Sequence, residues 1–118
     1  MKLNHTIVPA HDKRASARFL ARLFNLPVRS AGHFEVVEIN PELTLDYDER
    51  EDFSWHHYAF AVSDEEFDAI FARVQQEGLE YAADPMFERR GEINRRRGGR
   101  GFYFHDPNGH NFEVLTRA

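Results

Sequence analysis

Residues 100–116 read RGFYFHDPNGHNFEVLT, and this stretch decides the fold. Its first part, Gly101 to Phe104, is aromatic and predicts a strand. Asp106 to Gly109 has the residues of a tight turn, because proline presets its φ angle and glycine accepts positive φ. Asn111 to Thr116 predicts the returning strand, so the whole stretch is expected to form a β-hairpin.

Alternation along the returning strand predicts which of its side chains share a face. Phe112 and Val114 point one way, whereas Asn111, Glu113 and Leu115 point the other way. Glu113 therefore lies in mid-strand among apolar neighbours. Burying an unpaired carboxylate costs several kcal/mol, so Glu113 is expected either at a solvated edge or beside a cation. The hairpin alone leaves both interpretations open.

The length of 118 residues predicts one domain with a real hydrophobic core. No stretch approaches the ~20 apolar residues of a membrane span, and the first residues turn polar too early for a signal peptide, so a cytoplasmic location is expected. The sequence has no cysteine and seven histidines, so any bound metal must be held by His, Asp or Glu.

The net charge of −5 is unevenly spread along the chain. Eight acidic residues fall between Glu35 and Asp52, and six of the thirteen arginines fall between Arg89 and Arg100. The arginine run can be a solvated loop, a site for an anionic or aromatic small molecule, or a nucleic-acid contact. The acidic remainder disfavours nucleic acid, so we expect a small-molecule partner and neither nucleic acid nor membrane.

The first half of the chain predicts the order βαβββ. Residues 3–8 alternate as a strand, with Leu3, His5 and Ile7 on one face, which makes His5 a candidate for an inward position. Asp12 is a good N-cap for a helix over 12–25. Strand-like segments follow at about 27–30, 34–39 and 43–48.

The second half repeats this pattern. A strand from residue 55 or 56 to Val62 precedes a capping box at Ser63 and a second helix, with Gly78 placed to end it. A shift of 52 residues aligns His5 with His57 and Asp12 with Asp64, so we infer an internal repeat with modules of approximately 1–50 and 53–118. The polar insert of residues 84–99 is expected to be a loop or lid.

Three residues of this pattern form a set of metal-ligand types. His5 and His57 begin strands that are related by the repeat, and Glu113 lies on the last strand. Two imidazoles and one carboxylate suit Fe(II), Mn(II), Zn(II) or Ni(II), and the ligand types do not decide among these ions. The adjacent His56 competes with His57, but it points to the opposite face of its strand.

Three segments carry a resemblance to a known family: LNHTIV (3–8), HYAFAVSDEEFDAIF (57–71) and GRGFYFHDPNGHNFEVLT (99–116). They resemble the vicinal oxygen chelate superfamily, which includes glyoxalases, bleomycin-resistance proteins and extradiol dioxygenases. The resemblance implies an α+β fold in which two βαβββ modules form a cup-shaped mixed sheet around one divalent metal ion per chain. It also implies that His5, His57 and Glu113 are the ligands. Some members take a fourth ligand from the last strand of the first module, where Asp46 can be that ligand, a residue that contacts the ligands, or a solvated acid.

The motif GEIN (91–94) and the pair Gly98-Gly99 are similar to the branch that contains the chartreusin-biosynthesis dioxygenase. This branch implies oxygenase chemistry on an aromatic or vicinal-oxygen small molecule. A glyoxalase-like isomerase or lyase, a thiol transferase and a metal-free drug-binding protein remain alternatives. Tyr103 matches a substrate-contacting tyrosine of fosfomycin-inactivating members, but those enzymes also use an arginine beyond the glutamate, for which only Arg117 is available.

The remaining predictions concern the residues that contact the substrate and the oligomeric state of the protein. Tyr103 is the candidate catalytic residue, and the candidate substrate contacts are Phe34, Trp55, Arg95 and Arg100. A module alone has an open sheet and a small core, so we expect a symmetric homodimer whose metal sites are shared between the two chains.

Overall fold

The computed structural model describes all 118 residues and separates into two compact units, residues 1–54 and 55–118. Each unit has the order βαβββ, as predicted. The strands are β1 (His5–Ala10), β2 (Val28–Ala31), β3 (Phe34–Asn40), β4 (Leu43–Glu49), β5 (His57–Ala61), β6 (Tyr81–Ala82), β7 (Gly101–His105) and β8 (Asn111–Leu115). The helices are α1 (Lys13–Phe24) and α2 (Asp64–Gln76). Neither helix has the length and hydropathy that a membrane span requires.

The two sheets have the same topology. The first has the strand order β1-β4-β3-β2 and the second has the order β5-β8-β7-β6. In each sheet the first strand pairs in parallel with the last, and the remaining pairs are antiparallel. The predicted α+β fold of two repeated modules is therefore confirmed.

Strand β1 differs from its prediction in its ends and in its buried face. It covers residues 5–10 rather than 3–8 and includes Pro9, which is tolerated because β1 is an edge strand. Val8 and Ala10 are fully buried, whereas Leu3, His5 and Ile7 are exposed. The inward position predicted for His5 is therefore wrong, because the other face of the strand carries the core residues.

Both helices begin as the sequence predicts. The Asp12 side chain accepts a hydrogen bond from the Ala15 N–H, and Ser63 and Glu66 form a complete capping box. Helix α1 ends at Asn25, which has the left-handed conformation. The caps fix where each helix starts relative to the strand before it.

The core of the second unit is aromatic and lies on one face of its sheet. Phe67 of α2 packs edge-on against Phe102 of β7, with ring centroids 5.4 Å apart. Phe104 and Phe112 pack edge-on at 5.6 Å, and both are fully buried. Glu113 and its neighbours lie on the opposite face of this sheet.

The hairpin of residues 101–115 is the predicted one. In its turn, the Asp106 carboxylate accepts hydrogen bonds from the N–H groups of Asn108 and His110. Gly109 has a φ of +84°, which glycine adopts at little cost. The turn thereby sets the register in which Tyr103 pairs with Glu113.

The insert of residues 84–99 is more ordered than its composition indicates. Phe87 and Asn94 are buried, although the polar segment was predicted to be a loop or lid. The segment also contains one 3-10 turn at Arg96–Gly98. The short strand β6, which precedes the insert, was not identified because two residues are too few to show a pattern.

Candidate active site

The open face of the second sheet carries two cross-strand rows of side chains. In one row, His57 of β5, Asn111 of β8 and His105 of β7 are register partners. In the next row, Glu113 pairs with Tyr103. Because side chains alternate along each strand, these residues project from the same side of the sheet.

His57 and Glu113 are in direct contact on this face. His57 Nε2 lies 3.0 Å from Glu113 Oε1. The glutamate side chain is 14% exposed and the histidine side chain 44% exposed, so the pair is open to solvent on the histidine side. The contact shows that Glu113 is next to a group that can be cationic, which is one of the two environments expected for it.

His56 points away from this pair, as the strand alternation predicts. Its Nδ1 lies 2.9 Å from the Tyr58 hydroxyl oxygen, and its backbone N–H donates to Nδ1 of the buried His110. His56 is therefore part of a hydrogen-bonded cluster on the other side of the strand. His57 is the histidine that accompanies Glu113.

Tyr103 lies beside Glu113 and is almost fully buried. Arg96 Nη1 donates a hydrogen bond of 3.0 Å to the Tyr103 hydroxyl oxygen. Burial and the negative charge of Glu113 together raise the pKa of Tyr103 above its ordinary value, in spite of the opposing effect of Arg96. Tyrosine is protonated at neutral pH at its ordinary pKa as well, so Tyr103 can donate a hydrogen bond, and Glu113 is an acceptor beside it.

The first unit places its candidate residues on the corresponding face of its own sheet. His5 is exposed, and its Nδ1 lies 2.8 Å from the Asn4 side-chain oxygen. Asp46 accepts a hydrogen bond of 2.8 Å from Thr44, the register partner of His5. By the strand register, Phe34 also projects from this face.

The predicted arginine contacts, Arg95 and Arg100, line a common cavity of about 300 Å³, which neither His57 nor Glu113 lines. Arg100 donates hydrogen bonds to Asp68 and Asp64 at the start of α2, at 2.7 and 3.0 Å, and its guanidinium lies 4.3 Å from the centroid of the Phe67 ring. Arg95 is exposed. The Arg100 guanidinium therefore binds to side chains of α2.

His57 and Glu113 line two different cavities of the second unit. His57 lines a cavity of about 560 Å³ whose other lining residues include Trp55, Phe87 and His105. Glu113 lines a cavity of about 280 Å³ together with four arginines: Arg96, Arg97, Arg100 and Arg117. The cavity at His57 therefore includes aromatic rings, whereas the cavity at Glu113 is largely cationic.

The donor types and their spacing fit a divalent metal ion. Bonds from such ions to imidazole nitrogen and carboxylate oxygen measure about 2.0–2.2 Å, so two donors at a right angle lie about 3 Å apart. This matches the separation of His57 Nε2 and Glu113 Oε1. No group of three His, Asp or Glu side chains in the chain is placed to hold a metal ion.

Neither Arg96 nor Asn111 was predicted from the sequence to be a site residue. Three arginines in a row, at 95–97, do not indicate which of them faces the sheet. The choice depends on the 3-10 turn and on the left-handed backbone of Arg97. The sequence predicted that Asn111 shares a strand face with Glu113, but the turn before it showed only where the strand begins. Its register between His57 and His105 comes from the sheet pairing.

The family of the chain follows from comparison with known proteins. The model of the Glyoxalase/Bleomycin resistance protein/Dioxygenase superfamily matches residues 2–114. The chain belongs to this superfamily. Its sequence segments and its repeated fold agree with that membership.

Two solved structures are similar to this chain along its entire length. Oxidase ChaP-H2 is 55% identical, with 100% of this chain and 94% of that chain covered and a TM-score of 0.96. Oxidase ChaP-H1 is 48% identical, with 100% and 97% covered and a TM-score of 0.96. The resemblance to the chartreusin-biosynthesis branch is confirmed by these neighbours.

A more distant relative is the glutathione transferase FosA of Serratia marcescens. It is 28% identical over 120 residues, which cover 95% of this chain and 78% of that protein. Among solved structures, the fosfomycin resistance protein FosX of Mesorhizobium loti is 25% identical, with 99% and 92% covered and a TM-score of 0.73. The superfamily is thus shared by proteins of different activities.

Proposed function

We propose that this protein is a divalent-metal-dependent oxidase or oxygenase that acts on an aromatic small molecule with neighbouring oxygen atoms. The contact between His57 and Glu113 carries the proposal, because it places two metal-ligand types at the spacing that one ion requires. The identity of 55% to an oxidase over the whole chain supports the oxidative chemistry.

We propose His5 as the third ligand, supplied by the partner copy in a symmetric homodimer. His5 is exposed on its strand, so its imidazole is accessible to a second chain. The bound metal would polarise the substrate oxygens as a Lewis acid. The half-buried Asp46 of the same sheet offers a further carboxylate, which Thr44 orients by its hydrogen bond.

The residues around the pair supply binding and a proton. Tyr103 carries its phenolic proton at neutral pH, so its hydroxyl can donate a hydrogen bond to a substrate oxygen. Arg96 holds that hydroxyl in place at 3.0 Å. The cavity beside His57 offers aromatic contacts to such a substrate, and Trp55 forms part of its wall.

Metal binding tests the first half of the proposal. Protein purified without chelator should contain one Fe(II), Mn(II), Zn(II) or Ni(II) ion per chain by elemental analysis. In isothermal titration, Glu113→Ala and His57→Ala should each weaken metal affinity by at least about 100-fold, because each removes a ligand. His56→Ala is the matched control and should bind metal as the wild type does. Unchanged affinity in Glu113→Ala would end the proposal.

An oxygen-uptake screen with catechols and hydroxyquinones tests the second half. Activity should require the metal and should fall in Arg96→Ala much more than in Arg95→Ala, because only Arg96 contacts Tyr103. The identity to FosA and the presence of Tyr103 make thiol transfer the second candidate. Consumption of glutathione with fosfomycin, without oxygen uptake, would favour it.

A further inference from the structure

His110 is a fully buried histidine that lies between the turn of residues 106–109 and the start of β8. Its ring packs edge-on against Tyr58, with centroids 5.7 Å apart. Its backbone N–H donates a hydrogen bond of 2.8 Å to the Asp106 carboxylate, and its carbonyl oxygen accepts one of 3.1 Å from the Asp106 N–H. The ring and the backbone of His110 are therefore both held in place by the second unit.

The His110 ring accepts a hydrogen bond from the backbone of the neighbouring strand segment. The His56 N–H donates to His110 Nδ1 at 2.9 Å. An Nδ1 atom that accepts a hydrogen bond carries no proton, so the proton of the neutral ring lies on Nε2. A buried imidazole thus serves here as an acceptor for a main-chain group.

This bond completes the pairing at the start of β5. His57 and Asn111 are the first register partners of the parallel pair, and the Asn111 N–H donates a bond of 2.8 Å to the His56 carbonyl oxygen. Residues 106–109 form a turn, so β8 does not extend further back along His56, and the acceptor for the His56 N–H is a side chain. Both main-chain polar groups of His56 are consequently bonded to residues 110 and 111.

His57 is the residue that these bonds position. It is the first residue of β5, which is an edge strand, and residues 54–57 are all exposed. Exposed ends of edge strands fray easily, because few contacts hold them. The bonds to His56 act on the peptide group directly before His57, whose Nε2 lies 3.0 Å from Glu113 Oε1. They therefore limit how far the imidazole can move from the carboxylate.

From these observations we propose that His110 is a positioning residue of the site. By accepting the His56 N–H, its imidazole holds the start of β5 so that His57 stays beside Glu113. Ligands that are held in place before the metal arrives bind it more tightly than mobile ones. The inference rests on the proposed function only for this effect on metal affinity, since the contact between His57 and Glu113 forms without metal.

Three substitutions separate the acceptor of His110 from its bulk. In His110→Asn the amide oxygen takes the place of Nδ1, because both atoms are bonded to Cγ. His110→Gln has a side chain of similar size, but its oxygen lies one bond further along. His110→Ala removes the acceptor completely. The matched control is Val74→Ala, which creates a cavity beneath α2, away from the start of β5.

The first measurements are made in EDTA, without metal. In the isotope-labelled wild type, NMR should detect a scalar coupling across the hydrogen bond between the His56 amide nitrogen and His110 Nδ1. Crystal structures should show the distance of 3.0 Å between His57 Nε2 and Glu113 Oε1 in the wild type and in His110→Asn. In His110→Ala and His110→Gln this contact should be broken or the His57 side chain disordered.

The second measurement is isothermal titration of the folded variants with Mn(II). His110→Ala and His110→Gln should each bind the ion about 10-fold or more weakly than the wild type, because His57 is no longer held. His110→Asn should bind it as the wild type does. Val74→Ala should also keep the wild-type affinity in spite of its lower melting temperature, which separates positioning from a general loss of stability.

A missing coupling in the wild type would overturn the proposal. So would an intact His57–Glu113 contact with normal Mn(II) affinity in His110→Gln, or an equal loss of affinity in His110→Asn or Val74→Ala. If His110→Ala does not fold, the comparison of His110→Asn with His110→Gln decides. If the wild type binds no metal, the proposed function fails, and the metal-free structures still decide whether His110 positions His57.

Discussion

Asn94 of the insert and Gly101 at the start of β7 donate their backbone N–H groups to each other's carbonyl oxygens, at 2.8 and 3.1 Å. The Asn94 amide also lies close to Gly101, where a Cβ atom would be 3.0 Å from Oδ1. The insert is therefore hydrogen-bonded to the sheet at Asn94, two residues before Arg96. This connection positions the arginine that contacts Tyr103.

The first prediction is that Gly101→Ala destabilises the protein by about 1–3 kcal/mol, because the added methyl group displaces the Asn94 amide. Urea unfolding measures the effect. The double mutant with Asn94→Ala provides the control: removing the amide should recover part of the cost of the methyl group. If the two substitutions are additive, the contact with the amide is not the cause.

The fold could be predicted from the sequence because each of its main elements is specified by residues that are neighbours in the chain. The capping box at Ser63, the cap at Asp12 and the turn at 106–109 each fix an element by neighbouring residues. The repeat then related His57 to His5 and predicted a common topology.

The site was predictable only in part, because some of it depends on tertiary packing. The contact between His57 and Glu113 follows from strand parity and from parallel pairing of β5 with β8. The choice of Arg96 over Arg95 depends on a 3-10 turn that the polar sequence does not specify. The role of Arg100 depends on the approach of α2, which places two carboxylates and the Phe67 ring beside it.

The second prediction concerns Arg100, which the sequence assigned to substrate capture. Its two carboxylate contacts are exposed, but its guanidinium also covers the Phe67 ring. Arg100→Ala should therefore lower the free energy of unfolding by about 1 kcal/mol and leave KM unchanged. Arg95→Ala should change the melting temperature little. A large increase in KM with normal stability in Arg100→Ala would instead support the substrate role.

The third prediction concerns stability at alkaline pH. Burial, assisted by the negative charge of Asp106, raises the pKa of Tyr58 from 10.0 to about 12. A raised pKa in the folded state means that the unfolded chain loses this proton first, so stability present below pH 10 is lost as the pH rises toward 12. In urea titrations, the wild type should lose stability over this range more steeply than Tyr58→Phe.

The absorbance of ionised tyrosine gives an independent measurement of the same group. The difference between the wild-type titration and that of Tyr58→Phe should show a transition near pH 12. A transition of Tyr58 near its ordinary pKa would contradict the prediction. Titration in denaturant, where every tyrosine is exposed, serves as the control.

The last prediction concerns assembly. His5 belongs to the first unit, whereas His57 and Glu113 belong to the second. In a dimer with shared sites, each site takes His5 from one chain and the other two ligands from its partner. His5→Ala and Glu113→Ala homodimers should therefore bind metal weakly, because every site lacks one ligand.

Unfolding and refolding the two mutants together should restore part of the binding. A mixed dimer has one site with all three ligands and one site that lacks two. Random mixing makes about half of the dimers mixed, and half of their sites are complete, so about a quarter of the wild-type metal content should return. Elemental analysis after gel filtration measures it.

A second mixture controls for nonspecific recovery. His57→Ala and Glu113→Ala both remove ligands from the second unit, so no mixed dimer of these two mutants contains a complete shared site. This mixture should recover nothing under either arrangement. If His5→Ala with Glu113→Ala also recovers nothing at any mixing ratio, although mixed dimers form, each chain builds its own site and the shared arrangement is wrong.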